Sequence, residues 1–450
     1  MDTTIQTLAD FVKIQSVSSD PARSSEMAKA VDFLKKQLAG LGAEVQVIGL
    51  THQLICGLIP VAGATETIGI YGHYDVQPAD PVDEWDADPF TLTIKNAKFV
   101  GRGVADNKGH VIQNLTAIRA LIDEKKLRAN IVFLFEGEEE VGSAHLADYL
   151  AQVTVVDLSS VDVWYVTDTG MHDADTPQIY TGLRGLLYTE LSITTGTRDL
   201  HSGVYGNRVY NAANLICEIV GDIKDSATGH VLIPGFYDDI IYPNEIEYEQ
   251  LLKIVEEDEL VRHESGQFAL PPSDHRHPEH DEGSRIPRTL LSKILPSCDV
   301  HGIEVGYVGP GAKTVIPREA TAKISFRLVP GQDPAKVEQS FRSFLDHLIP
   351  TGIKWDLKVL SAEPAFITDI QSEWATHTSQ ALENVFGHPT IYNRSGGSIP
   401  VAGILQNLFG KPVILTGFTL PDDCIHAPNE NFDEGTFWKG IEVLKKIYSK

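Results

Sequence analysis

The sequence predicts an α/β protein of two domains, a mostly parallel sheet flanked by helices with an α+β domain inserted into it. Three observations carry this. A chain of 450 residues exceeds what one ordinary core organises. Over roughly the first 180 residues, short β-leaning runs alternate with helical spacing of apolar side chains, the pattern of a parallel sheet with helices on both faces. From about residue 184 the texture changes to open-faced alternation, and the tail would supply the last helices and strands of the first domain. The boundaries read as 1–184 and 361–450 for the two parts of the outer domain and 185–360 for the insertion.

In order along the chain, residues 4–15 and 24–40 have apolar side chains at helical spacing. Residues 43–49, 53–59 and 67–71 are short and β-leaning. A polar, proline-marked loop, "QPADPVDEWDADPF", follows, and then a hairpin at 91–101. A helix is predicted over 108–124, a buried strand over 130–136, a helix near 143–151 and a strand over 161–167. In the insertion, "GLLYTELSITTGT" alternates like a strand with one open face, and 209–223 has helical spacing. Residues 226–300 read as one long irregular stretch rich in Pro, His and acidic side chains. Alternation returns in "GAKTVIPREATAKISFRLVPG" at 311–331, and 334–349 is helical.

Hydrophobic content of 42% with 22% charged residues is that of a soluble globular protein. The formal charge of −25 argues against nucleic acid or an anionic membrane as partner, since both reward basic patches. The start, "MDTTIQTLADFVKIQ", lacks a basic segment followed by an apolar one, so no secretory signal is expected. No apolar run approaches a membrane span. Cys56, Cys217, Cys298 and Cys424 are scattered, which suits reduced thiols in a cytoplasm.

Five places end an apolar run, or open a helix, with a residue of metal-ligand type. "TIGIYGHYD" closes a strand with His73 and Asp75, two residues apart and so on one face of an extended chain. "GRGVADNKGH" sets Asp106 just before a helix. "FLFEGEEEVGS" crowds Glu136, Glu138, Glu139 and Glu140 behind a buried strand, where like charges repel unless something compensates. "VDVWYVTDTG" ends a strand with Asp168, and "DDCIHAPNE" places His426 in a late loop. Each has an ordinary explanation alone: a hydrogen-bonded pair, a helix cap, a solvated acidic face, a turn. Their joint occurrence at strand ends does not. Ligands of open α/β sheets sit beyond the carboxyl ends of the strands. Mixed His and carboxylate ligation suits zinc, manganese or cobalt better than calcium or magnesium. Two histidines and three carboxylates suffice for two ions if one carboxylate bridges, leaving a glutamate to accept a proton. Two rival clusters are weaker. "DHRHPEHDE" at 274–282 has three histidines but no flanking strand, and reads as a solvated loop. Cys424 has nothing local to lower its pKa and reads as a structural thiol.

The blocks "GHYDVQPA", "EWDADPF", "GRGVADNKG", "EGEEEVGS", "DLHSGVYG", "GAKTVIPREATAKISFRLVPG", "GGSIPV" and "IHAPNE" resemble, in their order, the M20 metallopeptidases, and within them the carnosinase-like cytosolic dipeptidases. The resemblance runs from about residue 70 to the end. It implies a di-metal catalytic domain with an inserted lid and dimerisation domain. By that resemblance His73, Asp106 and Asp168 hold one cation, and Asp106, Glu140 and His426 the other, with Asp106 as bridge and often a cis peptide after it. Zn²⁺ is the first choice, Mn²⁺ or Co²⁺ the alternatives. Glu139 is the general base, with Asp75 orienting His73 or the base. His201 reaches the active site of a partner subunit in a homodimer and faces the oxyanion. Thr314, Arg327 and Ser398 contact substrate, Arg327 as the fork for a free carboxylate. The implied reaction is hydrolysis of dipeptides or short peptides, with deacylation of N-acyl or N-carbamoyl amino acids as the alternative. Two local departures, Asn107 where many relatives carry Asp and Ser395 where Glu is frequent, are expected to touch no assigned ligand. Glu136 and Glu138 receive no role.

Overall fold

The structure, a computed structural model, describes residues 2–258, 286–397 and 399–450. It divides into two compact units. One comprises Met1–Thr181, Thr368–Asn393 and Pro400–Lys450, the other Gly182–Ile367 and Arg394–Ile399.

The first unit is built on a mixed sheet. Its strands run in the order Glu44–Ile48, Leu54–Ile59, Asn130–Glu136, Thr67–His73, Val163–Val166, Val413–Thr416 and Gln178–Leu183. The four from Asn130–Glu136 to Val413–Thr416 are mutually parallel, while the flanking strands pair antiparallel. Parallel strands covered on both faces read as continuous apolar runs, and these are buried at every position but Asn130: Ile68, Ile70, Ile131, Phe133, Phe135, Val163 and Tyr165 all lie in one core. Gly69 is required there, because a Cβ at that position would come within 2.1 Å of the buried Trp164 ring. Helix Lys108–Asp123 buries Val111, Ile112 and Ile118 in the same core, and helix Glu434–Tyr448 buries Phe437, Leu444 and Ile447. Because the four central strands point one way, their carboxyl ends share one edge, and the residues just after them are delivered there.

The second unit is a four-stranded antiparallel sheet, ordered Ser297–Val305, Glu319–Leu328, Gly185–Thr194, Lys354–Glu363. Alternate residues of Gly185–Thr194 are buried, among them Leu187, Leu191 and Ile193. Two amphipathic helices pack apolar stripes into that cluster: Leu215, Ile216 and Ile219 from Ala212–Ile223, and Val337, Phe341 and Leu345 from Pro334–Leu348. Asn211 and Asp333 cap them.

The expected irregular stretch at 226–300 is not irregular throughout. It holds helices Glu245–Asp258 and Arg288–Ile294 and the edge strand Ser297–Val305. Tyr248, Leu251 and Ile254 are the buried stripe of the first helix, three residues apart and diluted by surrounding acids. The edge strand is exposed along most of its length, so it has no apolar alternation to read. The histidine-rich segment 274–282 lies outside the described residues. Among the described residues no helix is long and apolar enough to cross a membrane.

Candidate metal centre

His73 is the last residue of its strand and is fully buried. Its Nδ1 lies 3.1 Å from the Asp75 carbonyl oxygen and 3.3 Å from Asp75 Oδ1. That leaves Nε2 to face the site, the arrangement by which a carboxylate or carbonyl fixes the tautomer of a ligating histidine. Asp75 Oδ2 also accepts from the Glu140 backbone N–H at 3.1 Å, so one buried aspartate holds two segments. Asp106 stands at the mouth of helix Lys108–Asp123, and its peptide bond to Asn107 is cis. Gly109 lets that helix begin close under the loop: a Cβ there would meet the Val104 carbonyl oxygen at 2.0 Å. Glu139 and Glu140 sit in a short 3-10 turn just past the strand Asn130–Glu136. Asp168 follows strand Val163–Val166 by two residues. His426 lies in the loop between Val413–Thr416 and Asn431–Asp433. In that loop Cys424, His426 and Asn429 all have left-handed backbone, an uncommon conformation for residues other than glycine.

Two sets of ligand-type atoms converge. His73, Asp106 and Asp168 offer atoms within 4.8 Å of one another, and so do Asp106, Glu140 and His426. Asp106 belongs to both sets through different oxygens: Oδ1 is 2.9 Å from His73 Nε2, and Oδ2 is 2.9 Å from His426 Nε2. Asp168 Oδ1 is 3.6 Å from His73 Nε2, and Glu140 Oε2 is 3.2 Å from His426 Nε2.

The electrostatics are those of a place that calls for positive charge. Burial pushes the Glu139 carboxyl well above the ordinary range; the positive His73 opposes this, and the charges of Asp168, Asp106 and Glu140 add to it. Burial also raises Glu140, against the hydrogen bond from His426. Burial would lower His73, yet the Asp168 charge and the Asp106 hydrogen bond carry it well above its usual value. Hydrogen bonds to Asp106 and Glu140 lift His426 to about 10. Protonated imidazoles would offset part of that negative charge, and two divalent cations would fit the same atoms with the rings neutral. Glu140 Oε1, buried and without a hydrogen-bond partner, suits that exchange.

Sequence reasoning missed the supports. Gln77 donates to Glu140 Oε2 at 2.8 Å. Asn107, expected to touch no ligand, turns its side-chain amide onto Asp168. Local motifs show neither contact, because each crosses between chain segments. The two unassigned glutamates also have partners. Glu136 is buried in the strand, accepts from the Tyr71 hydroxyl at 2.6 Å, and is pushed up to about 8 chiefly by burial. Glu138, also buried, accepts from the His145 backbone N–H at 2.6 Å and faces His145 Nδ1 at 2.9 Å. It staples the turn that carries Glu139 and Glu140.

The remaining expected site residues belong to the second unit. His201 is exposed, and its Nδ1 accepts from the Gly203 N–H at 3.0 Å. Exposed Thr314 accepts from the Ser202 N–H at 3.2 Å through its carbonyl, which places it beside His201. Arg327 is partly exposed on strand Glu319–Leu328, opposite Leu186. Ser398 lies outside the described residues.

Comparison with known proteins gives a consistent picture. Residues 69–450 match the model of peptidase family M20/M25/M40. The chain is 30% identical to the Beta-Ala-His dipeptidase of Homo sapiens, over 99% of this chain and 90% of that protein. It is 29% identical to the Cys-Gly metallodipeptidase dug1 of Schizosaccharomyces pombe, over 98% and 94%. Among solved structures, an M20 family metallo-carboxypeptidase from Sulfolobus solfataricus superposes with a TM-score of 0.82 at 31% identity, covering 100% of this chain and 99% of that one.

Proposed function

The chain belongs to peptidase family M20/M25/M40, and on that premise we propose that it hydrolyses the peptide bond of dipeptides or short peptides with two divalent cations. The observation that carries this reading is the sharing of Asp106 between two ligand sets with Glu139 alongside. His73, Asp106 and Asp168 would hold one cation, and Asp106, Glu140 and His426 the other, Zn²⁺ first and Mn²⁺ or Co²⁺ as alternatives. When bound, the pair supplies Lewis acidity toward water and toward the scissile carbonyl.

The protein's own groups do the rest. Glu139 takes the proton of the attacking water and returns it to the leaving amine nitrogen. Asp75 holds His73 with Nε2 toward the site. His201, supplied by the partner subunit of a homodimer, donates to the oxyanion as the carbonyl becomes tetrahedral. Arg327 pairs bidentately with the substrate's free carboxylate, and Thr314 and Ser398 contact the substrate backbone. The place of action is the cytoplasm.

The test is hydrolysis of a dipeptide panel that includes β-Ala-His and Cys-Gly, the dipeptides in the relatives' names, beside N-acetyl amino acids. Chelator-treated protein should lose dipeptide hydrolysis and regain it with Zn²⁺ or Mn²⁺. Undiminished activity without metal sinks the proposal, and faster turnover of the N-acetyl compounds replaces it with deacylation.

A further inference from the structure

Behind the two ligand sets lies a buried ion pair that neither set uses. Glu430 and Arg102 are almost wholly inaccessible to solvent, with Arg102 Nη1 to Glu430 Oε2 at 2.7 Å. Three backbone N–H groups point at the same carboxylate. Gly103 donates to Oε2 at 3.0 Å, while Ala105 and Asp106 donate to Oε1 at 2.9 and 3.1 Å. Such converging N–H groups form a cradle for an anion, and here the anion is a side chain from 324 residues further along. Arg102 continues the linkage. Its Nη2 donates to the Pro78 carbonyl at 3.1 Å and reaches the Ala427 carbonyl at 3.5 Å. Ala427 is the neighbour of His426, and Pro78 follows the segment of His73 and Asp75.

We infer that Glu430 is a positioning residue that presets Asp106 and His426 for cation binding. It fixes the Asp106 backbone from behind while both Asp106 oxygens stay turned to the two imidazoles. Through Arg102 and its own place in the chain, it holds the His426 loop against the Asp106 loop. A cation entering the site therefore meets ligands that need little further ordering, and its binding free energy is not spent on arranging the loops. Glu430→Gln would turn an amide N–H₂ toward donors on one side, breaking the cradle without changing the ligands.

The inference rests on the di-metal reading above, and the experiment separates the two. Chelator-stripped wild type and Glu430→Gln are titrated calorimetrically with Zn²⁺ alone, and amide hydrogen exchange is followed at Gly103, Ala105 and Asp106. The variant should bind roughly 10–100-fold more weakly, the usual effect of losing an outer partner of a metal ligand, with unchanged stoichiometry and faster exchange at those amides. A role in folding alone would lower the melting temperature and leave the affinity as it was, which overturns the inference. Should Glu430→Gln fail to fold, Arg102→Lys decides. It keeps a cation facing Glu430 but gives up the fork that reaches Pro78 and Ala427, so affinity should still fall, and equal affinity overturns the inference. If wild type itself binds no Zn²⁺, the metal centre and the inference fall together. If wild type and variants bind alike, only the inference does.

Discussion

Asn107 donates its side-chain amide to Asp168, Nδ2 to Oδ1 at 2.6 Å, and to the Thr167 carbonyl at 2.8 Å. Asn107 is fully buried and its Oδ1 has no hydrogen-bond partner, so its one satisfied end is the end that faces a ligand-type carboxylate. Asn is here a donor where an ionised Asp would be an acceptor. The bond fixes how Asp168 presents its oxygens to His73.

Asn107→Ala removes that donor and deprives the buried Thr167 carbonyl and the partly buried Asp168 carboxylate of a partner. A stability loss of about 1–3 kcal/mol is expected, together with a roughly tenfold or larger loss of Zn²⁺ affinity. Thermal unfolding and calorimetric titration measure the two separately. Undiminished affinity would show that Asp168 is held by other means.

Glu139→Gln keeps the shape of the side chain and removes the proton acceptor. Turnover of a dipeptide should fall roughly 10²–10⁴-fold, while Zn²⁺ affinity is nearly unaltered because Glu139 belongs to neither ligand set. Loss of affinity in this variant would instead make Glu139 a ligand.

Glu136 makes stability depend on pH with a definite sign. Its carboxyl is raised from 4.5 to about 8 in the fold, first by burial. Between those values the unfolded chain has released the proton and the folded chain retains it. Its contribution is therefore full below 4.5 and declines as pH rises toward about 8, by up to about 1.4 kcal/mol per unit. Glu136→Gln retains an acceptor for Tyr71 and should flatten that decline. Melting temperatures of both proteins across the window decide it, and parallel curves would exclude Glu136 as the source.

Arg327→Ala should lower kcat/KM for a dipeptide by roughly 10–100-fold, the worth of a charge-assisted pair. A dipeptide with its carboxylate blocked as an amide should be much less affected. Equal losses on both substrates would remove Arg327 from carboxylate recognition.

What the sequence makes legible follows from how local the signal is. The strand Asn130–Glu136 and the helix Ser24–Gly40 are read to the residue, because burial on both faces or on one stripe is written directly in apolar spacing. The helix Glu245–Asp258 escapes, since acids crowd its buried stripe. Similarly, residues 394–399 fall with the second compact unit although they sit within the tail. Four of the five ligand-type residues are visible because they end or follow a strand or precede a helix, whereas His426 stands in a loop and shows only through its motif. The groups that hold them are not visible. Arg102 and Glu430 are 328 residues apart, and Gln77 meets Glu140 across 63; neither pair leaves a trace in its own neighbourhood.

The strand Val413–Thr416 lies in the sheet between Val163–Val166 and Gln178–Leu183, and 238 residues separate Thr416 from its partner Gln178. A ribosome releases the chain from its N-terminal end. For most of synthesis two apolar strands therefore wait with open backbone edges, the kind that invite pairing with a neighbouring chain. Expression at high rate should burden chaperones more than the acidity of this protein suggests. His426 and Glu430 emerge later still, so neither the second of the two ligand-type sets nor the carboxylate that braces the Asp106 loop is complete until the last residues leave the ribosome.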